Sequence, residues 1–227
     1  MTPDAIMIFA AGRGTRMGAL TDDRPKPLIK VNGRALIDHA LRLTEGRALR
    51  KVVNVHHHAD MLRTHLGGSD VRISDESDAL LETGGGLRKA LPLLNRGTVF
   101  TLNSDAVWSG PNPLDALARA WNPERMDALL LLLSPEDALG HQGMGDFHRA
   151  EDGTLERGPG LVYTGAQIVN TALLDTIADA AFSVNRLWDL HLKRGRLHGV
   201  VYDGQWCDVG RPYGIMLAEN LLKSADV

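Results

Sequence analysis

Ile6-Met7-Ile8-Phe9-Ala10-Ala11-Gly12-Arg13-Gly14-Thr15-Arg16-Met17 is the stretch whose reading decides the fold. Residues 5–10 have the length and apolar content of a buried parallel strand. The strand runs into small residues and then a glycine loop carrying two arginines. An α/β fold presents backbone N–H groups and fixed positive charge to a phosphate in this way. Arg24-Pro25-Lys26-Pro27-Leu28 follows shortly after. Proline restricts its own φ and the residue before it, so Lys26 is presented from a stiff segment. The loop is not a dinucleotide fingerprint, because Met17 stands where a third glycine is needed. It also lacks the Gly-Lys-Ser/Thr ending of a P-loop.

Outward from this stretch the pattern alternates. Residues 34–44 predict a helix, with Leu36, Ile37, Ala40, Leu41 and Leu43 mostly on one face. Val52 to Val55 predicts a second strand, and His58 to Leu66 a helix stopped by Gly67-Gly68. Val71 to Ser74 predicts a third strand, and a helix with Leu87, Ala90, Leu91 and Leu94 follows the glycines at 84–86. Val99 to Leu102 and Ala128 to Leu133 complete a β-α-β-α order, which implies a parallel sheet covered on both faces. Beyond residue 140 the segments shorten. Asp152-Gly153 and Asp203-Gly204 read as hairpin turns, 161–169 and 197–202 as strands, and 171–180 and 185–194 as helices. Pro212 suits the first turn of a last helix bearing Ile215, Met216, Leu221 and Leu222. The expected fold class is α/β: a Rossmann-like, mixed, mostly parallel sheet flanked by helices. One domain spans 1–227, and its second half, from about 136, extends the sheet and builds the other wall of a cleft against the half that ends at about 135.

A length of 227 residues suffices for one sizeable core. The net charge of -3 gives no broad basic footprint, which argues against a nucleic-acid partner. No apolar run is long enough to span a membrane, and the N-terminal one is too short for a signal peptide. The single cysteine, Cys207, excludes an internal disulfide and suits a cytoplasmic location.

Four further stretches carry candidate chemistry. Asp105, in Asn103-Ser104-Asp105, closes a predicted parallel strand, where a carboxylate faces the ligand crevice; a strand-ending Asx turn is the alternative. Asp208, in Trp206-Cys207-Asp208-Val209-Gly210, precedes the last helix, where a cap is the plainer reading. Leu81-Glu82-Thr83-Gly84-Gly85-Gly86 spends three glycines, which makes sense where a ligand lies against the backbone, or in a flexible loop capped by Thr83. Gly143-Met144-Gly145-Asp146-Phe147 and Tyr163-Thr164-Gly165 read equally well as turns. His56-His57-His58 is a poor metal site, since neighbours on a strand point to opposite faces. Cys207 has no dedicated base and reads as packing.

Ala10 to Met17 together with Pro25-Lys26-Pro27 resembles the signature of sugar-1-phosphate nucleotidylyltransferases. Many members carry a proline two residues after the methionine; Gly18-Ala19-Leu20-Thr21 has none, which predicts a looser loop. The resemblance implies transfer of a nucleotidyl group from a nucleoside triphosphate to a sugar 1-phosphate. It implies Mg2+ held by Asp105 and Asp208, Arg16 on the leaving pyrophosphate, and Lys26 by the α-phosphate. It also implies nucleotide contacts from Ala10, Ala11, Gly12, Gly14, Thr15, Thr83, Gly84 and Asn103. Glu82, Gly145, Asp146, Thr164 and Gly165 are the implied sugar contacts, and the halves to about 135 and from about 136 are the implied nucleotide-binding and sugar-binding halves. Leu-Glu-Thr-Gly-Gly-Gly looks most like the N-acetylmuramate 1-phosphate uridylyltransferases of cell-wall recycling, with UTP as donor. Guanylyltransferases of mannose or heptose 1-phosphate, thymidylyltransferases of glucose 1-phosphate, and an inactive nucleotide-sugar-sensing module are the alternatives. Met144 stands where the resemblance expects arginine. A monomer or homodimer is expected, since the β-helix extension that trimerises some relatives is not seen.

Overall fold

In the computed structural model, which describes residues 2–225, alternate residues of β1 (Ala5–Phe9) enter two different cores. Ile6 and Ile8 join one, and Ala5 and Met7 the other. A strand inside a sheet covered on both faces must do this, because side chains alternate with period two. The hairpin of β2 (Lys30–Val31) and β3 (Arg34–Ala35) leads into α1 (Leu36–Arg42). Then come β4 (Arg50–Val55), α2 (Ala59–Leu66), β5 (Val71–Asp75), α3 (Glu82–Leu94), β6 (Thr98–Asn103), β7 (Ala106–Ser109), α4 (Pro113–Ala120) and β8 (Ala128–Leu133). The remainder is β9 (Ala138–Leu139), the hairpin of β10 (Phe147–Arg149) and β11 (Leu155–Arg157), and β12 (Val162–Asn170). It ends with α5 (Asn185–Lys193), β13 (Leu197–Val201), β14 (Gln205–Asp208) and α6 (Pro212–Ala225).

Seven strands form the main sheet in the order β13-β8-β12-β6-β1-β4-β5. Every pairing is parallel except the two made by β12. Helices α1, α2 and α4 pack one face through Ile37, Leu62 and Leu114; α3 and α5 pack the other through Leu87, Leu91 and Leu187. The five leucines of β8 are each at most 2 % exposed, and such burial contributes about 1.5–3 kcal/mol per side chain. The β1-to-β4 crossover through α1 and the β5-to-β6 crossover through α3 cover opposite faces, and the strand order reverses at β1, so the strand ends between β1 and β6 form a topological switch point. Open α/β sheets bind their ligands there. A smaller sheet, β7-β14-β9, packs with α6 on a third core containing Met17, Val107, Cys207 and Leu221.

β12 carries a bulge. Tyr163 faces Leu132 and Gln167 faces Leu130, so two extra residues stand between them. Gly165 turns there with φ +86, and a Cβ on it would lie 2.8 Å from the Asn103 side chain. The hydroxyl of Thr164 donates to the Leu131 carbonyl at 2.8 Å, replacing an interrupted ladder bond.

Several expectations need correction. Residues 171–180 are not a helix; one 3-10 turn, Leu174–Thr176, is all that forms. Arg88 of α3 donates to the carbonyls of Ile177, Asp179 and Ala180, so these acceptors serve tertiary contacts instead of helical ones. Asp203-Gly204 does not close a hairpin, because β13 pairs with β8 and β14 pairs with β7 and β9. The helix predicted over 34–44 starts later, since Arg34–Ala35 pairs with Lys30–Val31 around Asn32 (φ 49) and Gly33 (φ 78). The glycines at 84–86 lie within the first turns of α3, not in a loop before it.

Candidate active site

Four strands end around the switch point, and polar groups tie their ends together. The backbone N–H of Ala10 donates to Asn54 Oδ1 at 2.7 Å, and Asn54 Nδ2 donates to Glu76 Oε1 at 2.7 Å. Ser104 Oγ donates to the Phe9 carbonyl at 2.6 Å. These bonds lock the C-terminal ends of β1, β4, β5 and β6 around a cleft of about 390 Å³. Ala10, Ala11, Gly12, Lys26, Glu82, Thr83, Asn103 and Asp105 are among its walls. Asn54, Glu76 and Ser104 also line it and are not among the candidates that the sequence motifs supply. Asn54 did leave a signal: it is the one polar residue in the apolar run Val52 to Val55.

The glycines of the Thr83 segment have a different origin from the one expected. A Cβ on Gly84 would strike the Phe182 ring, and one on Gly85 would come 2.6 Å from the Ala180 carbonyl. A Cβ on Gly86 would come 2.5 Å from Glu76 Oε1. The backbone N–H groups of Gly84 and Gly85 donate to the Phe182 carbonyl at 2.8 and 3.0 Å. Protein atoms, not an open ligand space, demand these glycines. Thr83 is no cap either: its hydroxyl accepts from Val184 N at 2.9 Å. Glu82 holds a left-handed conformation, φ 59, at the rim. Gly12 has nothing within 4 Å of a notional Cβ, so its backbone is open to the cleft.

Lys26 sits in a 3-10 turn, Lys26–Leu28, and is only 8 % exposed. Its Nζ donates to Asp105 Oδ2 at 2.6 Å. Gly14 (φ +67) leaves room for that lysine, since a Cβ there would come 2.9 Å from Lys26 Cβ. The loop lacking proline is tied internally, with Thr21 Oγ1 donating to the Gly18 carbonyl at 3.1 Å. Thr15 and Arg16 are exposed on it, outside the cleft walls.

Asp208 ends β14 opposite Ala106, and Val209 N donates to the Asp105 carbonyl at 2.8 Å, so the two aspartates are brought together. Burial pushes the Asp208 carboxyl above its usual range and the like charge of Asp105 adds to this, while Lys26 and Arg16 oppose it. Among the described residues no group of three or more His, Cys, Asp or Glu forms a metal cluster. Two converging carboxylates of like charge fit a hard divalent cation, which takes its remaining oxygens from water and phosphate.

The residues expected at the sugar lie farther along. Asp146 Oδ2 accepts from Tyr163 N at 2.8 Å, and Gly145 (φ +87) lets the chain cross Gly160 closely. Thr164 is 1 % exposed with its hydroxyl spent on Leu131, and Gly165 packs on Asn103. Neither faces the cleft described above. Gly140 (φ +76) crosses the Asp208 backbone and its carbonyl accepts from Tyr213 Oη at 2.7 Å, which pins the 139–145 loop beside Asp208. Cys207 is buried, and its thiol is pushed up to about 12 by that burial.

A strand-end cleft with an open glycine backbone, a buried lysine and converging carboxylates is the layout of a nucleotide-handling α/β enzyme. The sheet is that of the nucleotide-diphospho-sugar transferases. HddC of Yersinia pseudotuberculosis shares the fold with a TM-score of 0.76 at 18% identity, covering 95% of this chain and 98% of that one. So does the inositol-1-phosphate CTP transferase of T. maritima, with a TM-score of 0.80 at 14% identity over 98% and 96% of the two chains. The profile of the MobA-like NTP transferase domain matches residues 6–142. The chain belongs to this family and is a nucleotidyltransferase. It is 41% identical to the N-acetylmuramate alpha-1-phosphate uridylyltransferase of Caulobacter vibrioides over 98% of each chain. The protein of that name from Neisseria meningitidis is 32% identical over 90% of this chain and 92% of its own. No helix among the described residues is long and apolar enough to cross a membrane.

Proposed function

We propose that this chain transfers a uridylyl group from UTP to N-acetylmuramate 1-phosphate with Mg2+ as the cation. The observation that carries the reaction class is the Lys26–Asp105 pair, 2.6 Å long and beside Asp208 at the switch point. Two relatives named for that activity, each matched over 90% or more of both chains, support the choice of substrates.

The reaction is an in-line displacement at the α-phosphorus. A phosphate oxygen of the sugar 1-phosphate forms the new P–O bond, and the bond to the β-phosphate oxygen breaks to release pyrophosphate. The nucleophile is already anionic near neutral pH, so no general base is required. The residues act by position and charge. Lys26 would offset charge at the α-phosphate, and the exposed Arg16 would hold the departing pyrophosphate. Ala10, Ala11 and Gly12 would present backbone to the nucleotide. Asp105 and Asp208 would hold Mg2+, which when bound supplies charge neutralisation across phosphate oxygens.

The test is pyrophosphate release across a matrix of nucleoside triphosphates and sugar 1-phosphates, with Mg2+ and then with chelator. Activity restricted to UTP with N-acetylmuramate 1-phosphate and lost on chelation is the expected result. Activity with another pair would move the substrate assignment and keep the reaction class. Nucleotide binding without turnover on any pair would point to a sensing module.

A further inference from the structure

The cleft has two unlike ends. Lys26 and Asp105 stand on the side of α1, which lies against β7 and the Lys26 turn. Across the strand ends, on the side of α3 and α5, the lining includes Phe9, Leu80, Thr83 and Ser183. Glu82 on that wall disfavours a phosphate there. Apolar surface with two hydroxyls suits the flat, uncharged base of a nucleotide whose phosphates lie at Lys26. Ser183 is held to the wall by its neighbours. Phe182 N donates to the Leu81 carbonyl at 3.1 Å, and Val184 N donates to Thr83 Oγ1 at 2.9 Å. The Ser183 hydroxyl accepts twice from Asn185, from its N at 3.3 Å and its Nδ2 at 3.1 Å. Arg157 fixes which way that amide faces, because its Nη2 donates to Asn185 Oδ1 at 3.3 Å and leaves Nδ2 for Ser183. Arg157 is itself anchored on Asp189 at 2.8 Å. A serine oxygen has two acceptor sites and one proton. Both acceptor sites of Ser183 are taken, and no group among the described residues accepts its proton.

We propose that Ser183 reads the nucleobase as a fixed donor, giving its proton to a ring carbonyl and so favouring uracil over cytosine. This rests on the reading of UTP as the nucleotide. Cytosine carries an amino group, itself a donor, where uracil carries a carbonyl. Ser183 cannot turn a lone pair toward that amino group without releasing Asn185. Two donors left facing each other are both unpaired, so discrimination comes from a cost on the wrong base as well as a gain on the right one.

The experiment is calorimetric titration of the full chain with UTP and with CTP, alongside KM values for UTP and for the sugar 1-phosphate. Ser183→Ala is expected to weaken UTP binding about threefold to tenfold while CTP binding holds or tightens, so the preference for UTP shrinks. Asn185→Asp turns the neighbouring donor into an acceptor, which draws the Ser183 proton out of the cleft. It should shrink the preference in the same direction with Ser183 in place, and it supplies the test should the alanine variant not fold. Ser183→Thr keeps the hydroxyl and should keep the preference within about twofold. A lower Tm in Ser183→Ala with an unchanged UTP-to-CTP ratio would mean that the hydroxyl only ties the start of α5, and overturns the assignment. A rise confined to KM for the sugar 1-phosphate moves Ser183 to the acceptor and overturns it as well. A parent that prefers a purine triphosphate overturns the reading of UTP, and this assignment with it; that result is read on the parent alone, before any variant is compared.

Discussion

Asn54 Nδ2 donates to Glu76 Oε1 at 2.7 Å, and both side chains are buried, at 3 % and 0 % exposure. The other end of the Asn54 amide holds the Ala10 N–H, so a carboxyl on β5's trailing residue sets the backbone of the glycine loop. Asn54→Ala strands two buried atoms at once, the Ala10 donor and Glu76 Oε1, leaving the carboxyl only the Leu81 N–H on Oε2. A loss of about 2–4 kcal/mol is expected from urea denaturation, together with weaker nucleotide binding by calorimetry. A variant as stable as the parent would show that the network is incidental.

The glycines of the two motifs differ in a way substitution can read. Gly86→Ala places a Cβ 2.5 Å from Glu76 Oε1 and 3.0 Å from Asn54 Nδ2, and should cost about 1–3 kcal/mol through overpacking. Gly12→Ala meets no atom within 4 Å, so its stability should change by less than about 1 kcal/mol. Its effect should fall on KM for the triphosphate. Paired melting curves and steady-state kinetics separate the two.

Asp208→Asn should separate stability from turnover. Burial and Asp105 both disfavour the Asp208 charge, so removing it should leave folding unchanged or raise stability by up to about 1 kcal/mol. Turnover should fall by at least about a hundredfold. A variant that loses both stability and activity would mean that Asp208 holds the loop and not the substrate's cation.

His191 governs part of the acid response. It is 1 % exposed, and burial holds its pKa below 6.5, with Asp127 partly opposing. The folded state therefore binds fewer protons than the unfolded one. Stability from this group is complete above the unfolded value of about 6.5 and is lost as pH falls from there toward the depressed folded value. The slope for one such group reaches about 1.4 kcal/mol per pH unit. His198 is shifted the same way by burial and adds to it. Glu76 runs in the opposite sense: burial raises its pKa, so its contribution is lost as pH rises through the raised value. Urea midpoints between pH 7.5 and 5.5 for the parent and His191→Gln isolate the histidine. A parallel decline in both would remove it from the account.

Local pattern made much of this legible. The five leucines of β8 and the alternating core partners of β1 announce a sheet covered on both faces, and Gly12, Lys26 and Asp105 line the cleft at its strand ends. Contacts distant in sequence were not legible. Leu173, Leu174 and Ile177 have helical spacing, yet Arg88, about ninety residues earlier, claims the carbonyls a helix would need. The triple glycine suggested a ligand because no local rule says that Phe182, Ala180 and Glu76 press on it. Asp203-Gly204 has hairpin composition, but composition does not say that its two strands enter different sheets.

The antiparallel β12 stands between β6 and β8, although it is made some thirty residues after β8. A chain ending near residue 142, where the family match stops, would hold β6 and β8 with no strand between them. Each would present an unpaired apolar edge, the kind of surface that recruits other chains. During synthesis the earlier strands thus wait for residues 162–170 before the sheet can close. The passage from ribosome to folded enzyme carries its greatest aggregation hazard in that interval, and a shortened version of this protein would inherit the hazard permanently.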